Sequence, residues 1–169
     1  VPVEYALHLY EQLWAAGQPH GIVNAGYRAI NSLRLEKHYL TWGSDITPDY
    51  NPYEAGLGFC VALGKGDFLA RAALAEVKTR GPKQKLAWFT APPEPTLHGG
   101  EVVLSGERVV GRVTSGGFGH TVGRNIFCAY VAADEPADTA VSIEVMGERY
   151  PALRHTRPPY DPERKAILA

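Results

Sequence analysis

The feature that most constrains this 169-residue chain is the change of character at Gly81-Pro82. Beyond it, six short strand-like runs follow one another at 84–90, 101–104, 107–115, 124–132, 140–146 and 148–155, parted by clusters of Gly, Pro, Asp and Glu. Many short strands with turn signals between them predict a small all-β barrel or sandwich. Ser105-Gly106-Glu107 and Met146-Gly147-Glu148 read as hairpin loops, since glycine supplies the positive φ that tight turns need. The tail, Arg157 to Arg164, carries three prolines and is expected to be extended.

Before the break the periodicity is helical. Between Glu4 and Ala16, Tyr5 or Ala6, Leu9, Leu13 and Ala16 recur at three and four, and Gly17 with Pro19 ends the helix. A second helix is expected from an Asn24 cap to about His38 or Tyr39, with Ala25, Ala29, Leu33, Glu36 and Leu40 on one face and Tyr27, Ile30 and Arg34 beside them. The segment 41–52 is turn chemistry. Leu57 to Leu63 reads as a short buried strand, and Asp67 as the cap of a helix over 68–80. The fold class is therefore α+β, a helical part over 1–81 followed by a small antiparallel β-barrel over 82–169. Three helices with little sheet make a marginal domain on their own, so the first part reads as a piece of something larger. The start at Val1, without an initiator Met, agrees with that.

Composition narrows the partners. An apolar share of 45% with 21% charged residues supports a core. A net charge of −1 and a pI near 6.6 oppose a phosphate-backbone binder, so no nucleic acid is expected. No apolar run approaches the ~20 residues of a membrane-spanning helix, so no membrane is expected either. Cys60 and Cys128 both sit in apolar runs and read as buried reduced thiols of a cytoplasmic-type compartment.

The glycine pairs at 56–58 and 64–66 lack a phosphate-loop Gly-Lys-Ser/Thr. Ser115 lacks a nucleophile-elbow glycine and reads as a turn serine. The six histidines form no metal-ligand pattern, so no metal is expected. Tyr27, Trp42, Tyr53 and Phe59 are either core residues or cofactor stackers. Arg71 is either solvated or held for a ligand. Glu36 is either an exposed helical glutamate or a half-buried carboxylate in need of donors, which an amidine-like N–H edge would supply.

Three ordered segments carry a resemblance: Ala25 to Lys37 with Trp42-Gly-Ser-Asp45 and Pro52-Tyr-Glu-Ala-Gly-Leu57; Lys65 to Leu74; and Gly111 to Gly123, ending in Pro159-Tyr-Asp-Pro162. With them the chain resembles the glycine-cleavage T-protein (aminomethyltransferase) superfamily, above all the folate-binding C-terminal half of the flavoproteins sarcosine and dimethylglycine dehydrogenase. Leu-Glu-Lys followed by Trp-Gly is similar to that flavin-fused branch. Lys65-Gly-Asp in place of Lys-Gly-Cys departs from the iron–sulfur maintenance branch.

The resemblance implies tetrahydrofolate as cofactor, bound in a ring of three subdomains. It implies a pterin contact at Glu36 and a guanidinium for the folate carboxylates at Arg71. Tyr27 and Trp42 join these as candidate cofactor contacts, and Tyr160 and Arg164 would return toward the ligand. It also implies that the family's catalytic aspartate lies in an N-terminal half outside this chain, and FAD in a further domain of a flavin-fused parent. The implied chemistry is capture of a one-carbon unit from a small amine-derived donor as 5,10-methylenetetrahydrofolate. A non-catalytic folate-binding or assembly module and a tetrahydrofolate-dependent demethylase stand as alternatives. Without its complementary half the chain is expected to expose an apolar patch around Leu33, Phe59 and 57–63, open to self-association.

Overall fold

The structure is a computed structural model and describes residues 1–168. It divides into two compact units, Val1–Ile30 and Asn31–Ala169. The first holds helix α1 (Ala6–Gly17), flanked by 3-10 turns at Val3–Tyr5 and Gln18–His20. Ile22 folds back against Gly17, where a Cβ would lie 2.7 Å from the Ile22 side chain. Asn24 does not cap a helix; its side-chain amide donates to the Tyr10 hydroxyl at 3.0 Å. Helix α2 (Tyr27–Glu36) starts later and ends sooner than its sequence suggests, because His38 turns into the left-handed region at φ 57°.

The second unit is a closed antiparallel barrel of β1 (Gln84–Ala91), β2 (Val102–Ser105), β3 (Arg108–Gly119), β4 (Arg124–Ala132), β5 (Val141–Val145) and β6 (Glu148–His155), in the order β1-β4-β3-β2-β5-β6. β6 closes on β1, with Trp88 opposite His155. The predicted barrel and all six of its strands are present, and closure leaves no free edge. In the β5–β6 hairpin, Met146 (φ 54°) and Gly147 (φ 84°) form the two-residue loop whose twist matches its strands. Alternation sends Ala87, Phe89, Ala91, Val113, Phe127, Ala129 and Val131 into the barrel. Their neighbours Trp88, Ile126 and Cys128 pack outside it with Leu35. β4 is buried on both faces, which is why it reads as an unbroken apolar run.

Several local expectations are corrected. Residues 57–63 form no strand: Gly58–Cys60 is a turn of 3-10 helix and Phe59 is 84% exposed. Among the described residues every strand already has its neighbours within the barrel, so this apolar run has no ladder to join. Cys60 is exposed, and only Cys128 is buried. Helix α3 (Arg71–Arg80) starts at Arg71, after Ala70 at φ 66°, and among the described residues the Asp67 carboxylate receives only the Phe68 N–H. Ser115 lies within β3 and is buried. The tail is irregular to Arg164 and then forms a short helix, α4 (Lys165–Leu168).

Candidate functional site

Three buried polar residues, Glu36, Asp45 and Ser115, lie on or against the C-terminal part of α2. Leu35 and Glu36 are the buried residues of this helix, whereas Ala29 and Leu33 are exposed, so the expected apolar stripe is not the packed face. Glu36 is 1% exposed. Its Oε1 accepts the backbone N–H of Thr121 at 2.6 Å and of Val122 at 3.3 Å, in the turn that follows β3. Its Oε2 is buried and has no partner among the described residues. The Glu36 carbonyl accepts the N–H of Tyr160 at 3.3 Å. Next to it, the Lys37 ammonium donates to the Asp161 carboxylate at 2.9 Å and the Asp161 carbonyl at 2.7 Å, and lies 5.8 Å over the Tyr160 ring. The Lys37 hydrogen bond holds the Asp161 carboxyl below its usual range. One helix end therefore gathers a turn and the tail.

Arg34, two residues before Glu36 and so on the other side of the helix, faces a different cluster. Its guanidinium donates to Asp45 Oδ2 at 2.7 Å, Ser115 Oγ at 2.8 Å and Asn31 Oδ1 at 2.9 Å. Asp45, 0% exposed, also accepts the Thr41 N–H, the Thr114 hydroxyl at 2.7 Å and the Cys128 thiol. Burial alone would raise the Asp45 pKa, but donors from Ser115, Thr114, Thr41 and Cys128 lower it overall. Burial pushes the Cys128 thiol up, with the Asp45 charge adding to it, so this thiol is inert. A β-bulge makes the cluster possible. It interrupts the register between Val113 and Ser115, so that Thr114 and Ser115 both join the polar cluster instead of alternating across the sheet.

His38 stacks face to face on Trp88, with ring centroids 4.2 Å apart. Burial, reinforced by the neighbouring His155, holds its pKa down to about 4. It is a neutral packing ring at neutral pH.

The remaining candidates are scattered and open. Trp42 is 71% exposed and Tyr27 81%, so neither is a core aromatic. Arg71 is exposed and, among the described residues, spends only its Nε, on the Leu63 carbonyl at 3.0 Å. Arg164 is exposed at φ 61°, and its N–H closes a turn onto the Asp161 carbonyl. Among the described residues, no hydrogen bond links Trp42, Arg71 or the Arg164 side chain to Glu36. Tyr160 is the candidate brought directly to it, through its backbone.

A family model described as the GCVT N-terminal domain matches residues 1–65, and one described as the glycine cleavage T-protein C-terminal barrel domain matches residues 84–161. The chain belongs to the glycine cleavage T-protein family. The glycine cleavage system aminomethyltransferase T from Bartonella henselae superposes with a TM-score of 0.83 at 29% identity, over 96% of this chain and 45% of that one. Mitochondrial sarcosine dehydrogenase from Mus musculus is 38% identical over 99% of this chain and 19% of its own length. Mitochondrial dimethylglycine dehydrogenase from Mus musculus is 39% identical over 85% of this chain and 17% of its own length. The chain thus spans about a fifth of the length of these dehydrogenases.

The residues that the motifs of a glycine cleavage T-protein relative assign to folate differ in how well they would suit it. Arg71 fits, because its unspent guanidinium edge suits a carboxylate. Glu36 does not fit as a direct ring contact. One oxygen is taken by two amides, and the other, although chemically an acceptor in want of a donor, has no exposed surface. Sequence reasoning also passed over the amides of Thr121 and Val122, Lys37 with Asp161, and the acceptor role of Asp45. The glycine-rich run 116–123 was the available signal, since dense glycine lets backbone N–H groups approach a side chain closely.

Proposed function

We propose that this chain is the C-terminal portion of a tetrahydrofolate-dependent aminomethyltransferase module of the kind joined to sarcosine- or dimethylglycine-type dehydrogenases. Residues 1–81 would close the folate-binding domain and residues 82–169 form its barrel. One observation carries the reading: two family matches fall in chain order on either side of residue 81, the second coinciding with the closed barrel. When bound, tetrahydrofolate supplies the acceptor for a one-carbon unit from a small amine-derived donor, giving 5,10-methylenetetrahydrofolate. Any FAD would belong to a separate domain of such a dehydrogenase.

The chain's own part is binding and support. The exposed Arg71 guanidinium pairs with folate carboxylates, and in the same unit the Trp42 and Tyr160 rings offer apolar faces to a planar ligand; Tyr27, in the first unit, is a separate exposed aromatic candidate. Arg164 adds a second exposed cation. The free thiols suit a reducing compartment such as the cytoplasm.

A second reading, a non-catalytic binding or assembly module, is favoured by one observation. The carboxylates of Glu36, at the end of α2, and of Asp45, in the turn beyond it, are both buried and engaged, Glu36 by two amides and Asp45 by four donors, Arg34, Thr41, Thr114 and Cys128. Neither is placed to serve as an acid or base toward a ligand. Formaldehyde release by the longest natural form of the protein, measured with and without tetrahydrofolate, separates the two. Folate-dependent suppression of formaldehyde supports the transferase; identical release with bound folate supports the module.

A further inference from the structure

We propose that Glu36 is a positioning residue, which pins the turn after β3 and the tail to the end of α2 and so sets where Tyr160 stands. It is not itself a contact for a folate ring. Only the ligand half of this statement rests on the folate reading; the rest concerns the free protein.

Two adjacent backbone N–H groups, from Thr121 and Val122, converge on one oxygen, as amides do around a bound anion. The turn sits directly on the carboxylate, since a Cβ at Gly119 would lie 3.1 Å from Oε1 and 3.2 Å from Cγ. The same residue's carbonyl receives Tyr160, and the following Lys37 grips Asp161, so turn and tail are tied to consecutive helix residues. A paired N–H edge on a ligand would need both carboxylate oxygens free. One is doubly occupied and the other sealed from solvent.

The asymmetry of the two oxygens supplies a clean test. Glu36→Gln keeps a carbonyl oxygen for Thr121 and Val122, and puts an NH2 where the unpartnered Oε2 lies. A positioning role survives that exchange. A ring contact does not, because donor would then meet donor.

Amide hydrogen exchange followed by NMR, on wild type, Glu36→Gln, Glu36→Ala and Lys37→Met, reads the latch in the free protein. The expected result is Thr121 and Val122 protection within about tenfold of wild type in Glu36→Gln, and lower by about a hundredfold in Glu36→Ala. Tyr160 protection falls in Lys37→Met. Unchanged Thr121 and Val122 protection in Glu36→Ala overturns the proposal, as does a Glu36→Gln fall beyond that tenfold.

Tetrahydrofolate titration of wild type and Glu36→Gln adds the second readout. Affinities within about threefold support positioning, and a loss of about thirtyfold or more with intact amide protection makes Glu36 a ligand contact. Absence of folate binding by wild type rejects the functional reading, while the exchange data still decide the latch.

Discussion

Arg34 Nη1 and Asp45 Oδ2 lie 2.7 Å apart, with side chains 14% and 0% exposed. The pair fastens the Trp-Gly-Ser-Asp turn onto the outside of the barrel, and Asp45 reaches on to Thr114 and Cys128. Removing one member leaves a buried charge without its counter-ion, which costs about 3–5 kcal/mol. Arg34→Met and Asp45→Asn should each lower the urea midpoint by a corresponding amount. The double variant should be far less unstable than the two losses added together.

Asp45 also predicts an acid limb. Its folded pKa lies below the unfolded value of about 3.9. The stability it contributes is therefore complete above that value and drains away as pH falls through the folded pKa. Urea titrations between pH 5 and pH 2.5 should show a shallower loss in Asp45→Asn than in wild type, set against each protein's own stability at pH 5.

His38 acts higher on the pH scale. With a folded pKa of about 4 against about 6.5 unfolded, the unfolded chain binds the extra proton between those values. Stability is complete above about pH 6.5 and falls by about 2 kcal/mol on the way to pH 4, allowing for the part of the ring that water reaches. His38→Phe should keep the stack on Trp88 and flatten this dependence. Trp fluorescence across a urea series at pH 7 and pH 4.5 measures it.

The two thiols should differ sharply. Iodoacetamide should label exposed Cys60 in the folded protein and reach Cys128 only after denaturation, as intact mass and peptide mapping would record. Labelling of both in native buffer would contradict the buried cluster around Asp45.

Gly119 tests the close approach of turn and helix. A Cβ there would lie 2.6 Å from Ile126 Cδ1, so Gly119→Ala should destabilise by about 1–3 kcal/mol. Thermal unfolding by circular dichroism is sufficient to see it.

What the sequence revealed follows from the range of the forces involved. Each barrel strand is written locally, in alternation and turn residues, so all six emerged; β3 runs on to Gly119 because its glycines continue the pairing with β4. The 57–63 run failed because an apolar heptad does not say whether a neighbouring strand exists. The face of α2 was misjudged because burial of Leu35 and Glu36 depends on β4 and on the turn after β3, 85 residues away in the case of Thr121. Asp45 hid among turn residues, its donors Thr114 and Cys128 lying 69 and 83 positions distant. Burial of Glu36 was one of two readings that the sequence left open; that its donors are backbone amides of the chain itself became visible only in three dimensions.

The most direct test of the account is calorimetric titration of the longest natural form of the protein with tetrahydrofolate, beside its Arg71→Glu variant. Saturable binding that the variant weakens by about tenfold or more, as loss of a guanidinium–carboxylate pair requires, is the predicted result. No saturable heat from the wild-type protein would contradict the folate-binding assignment.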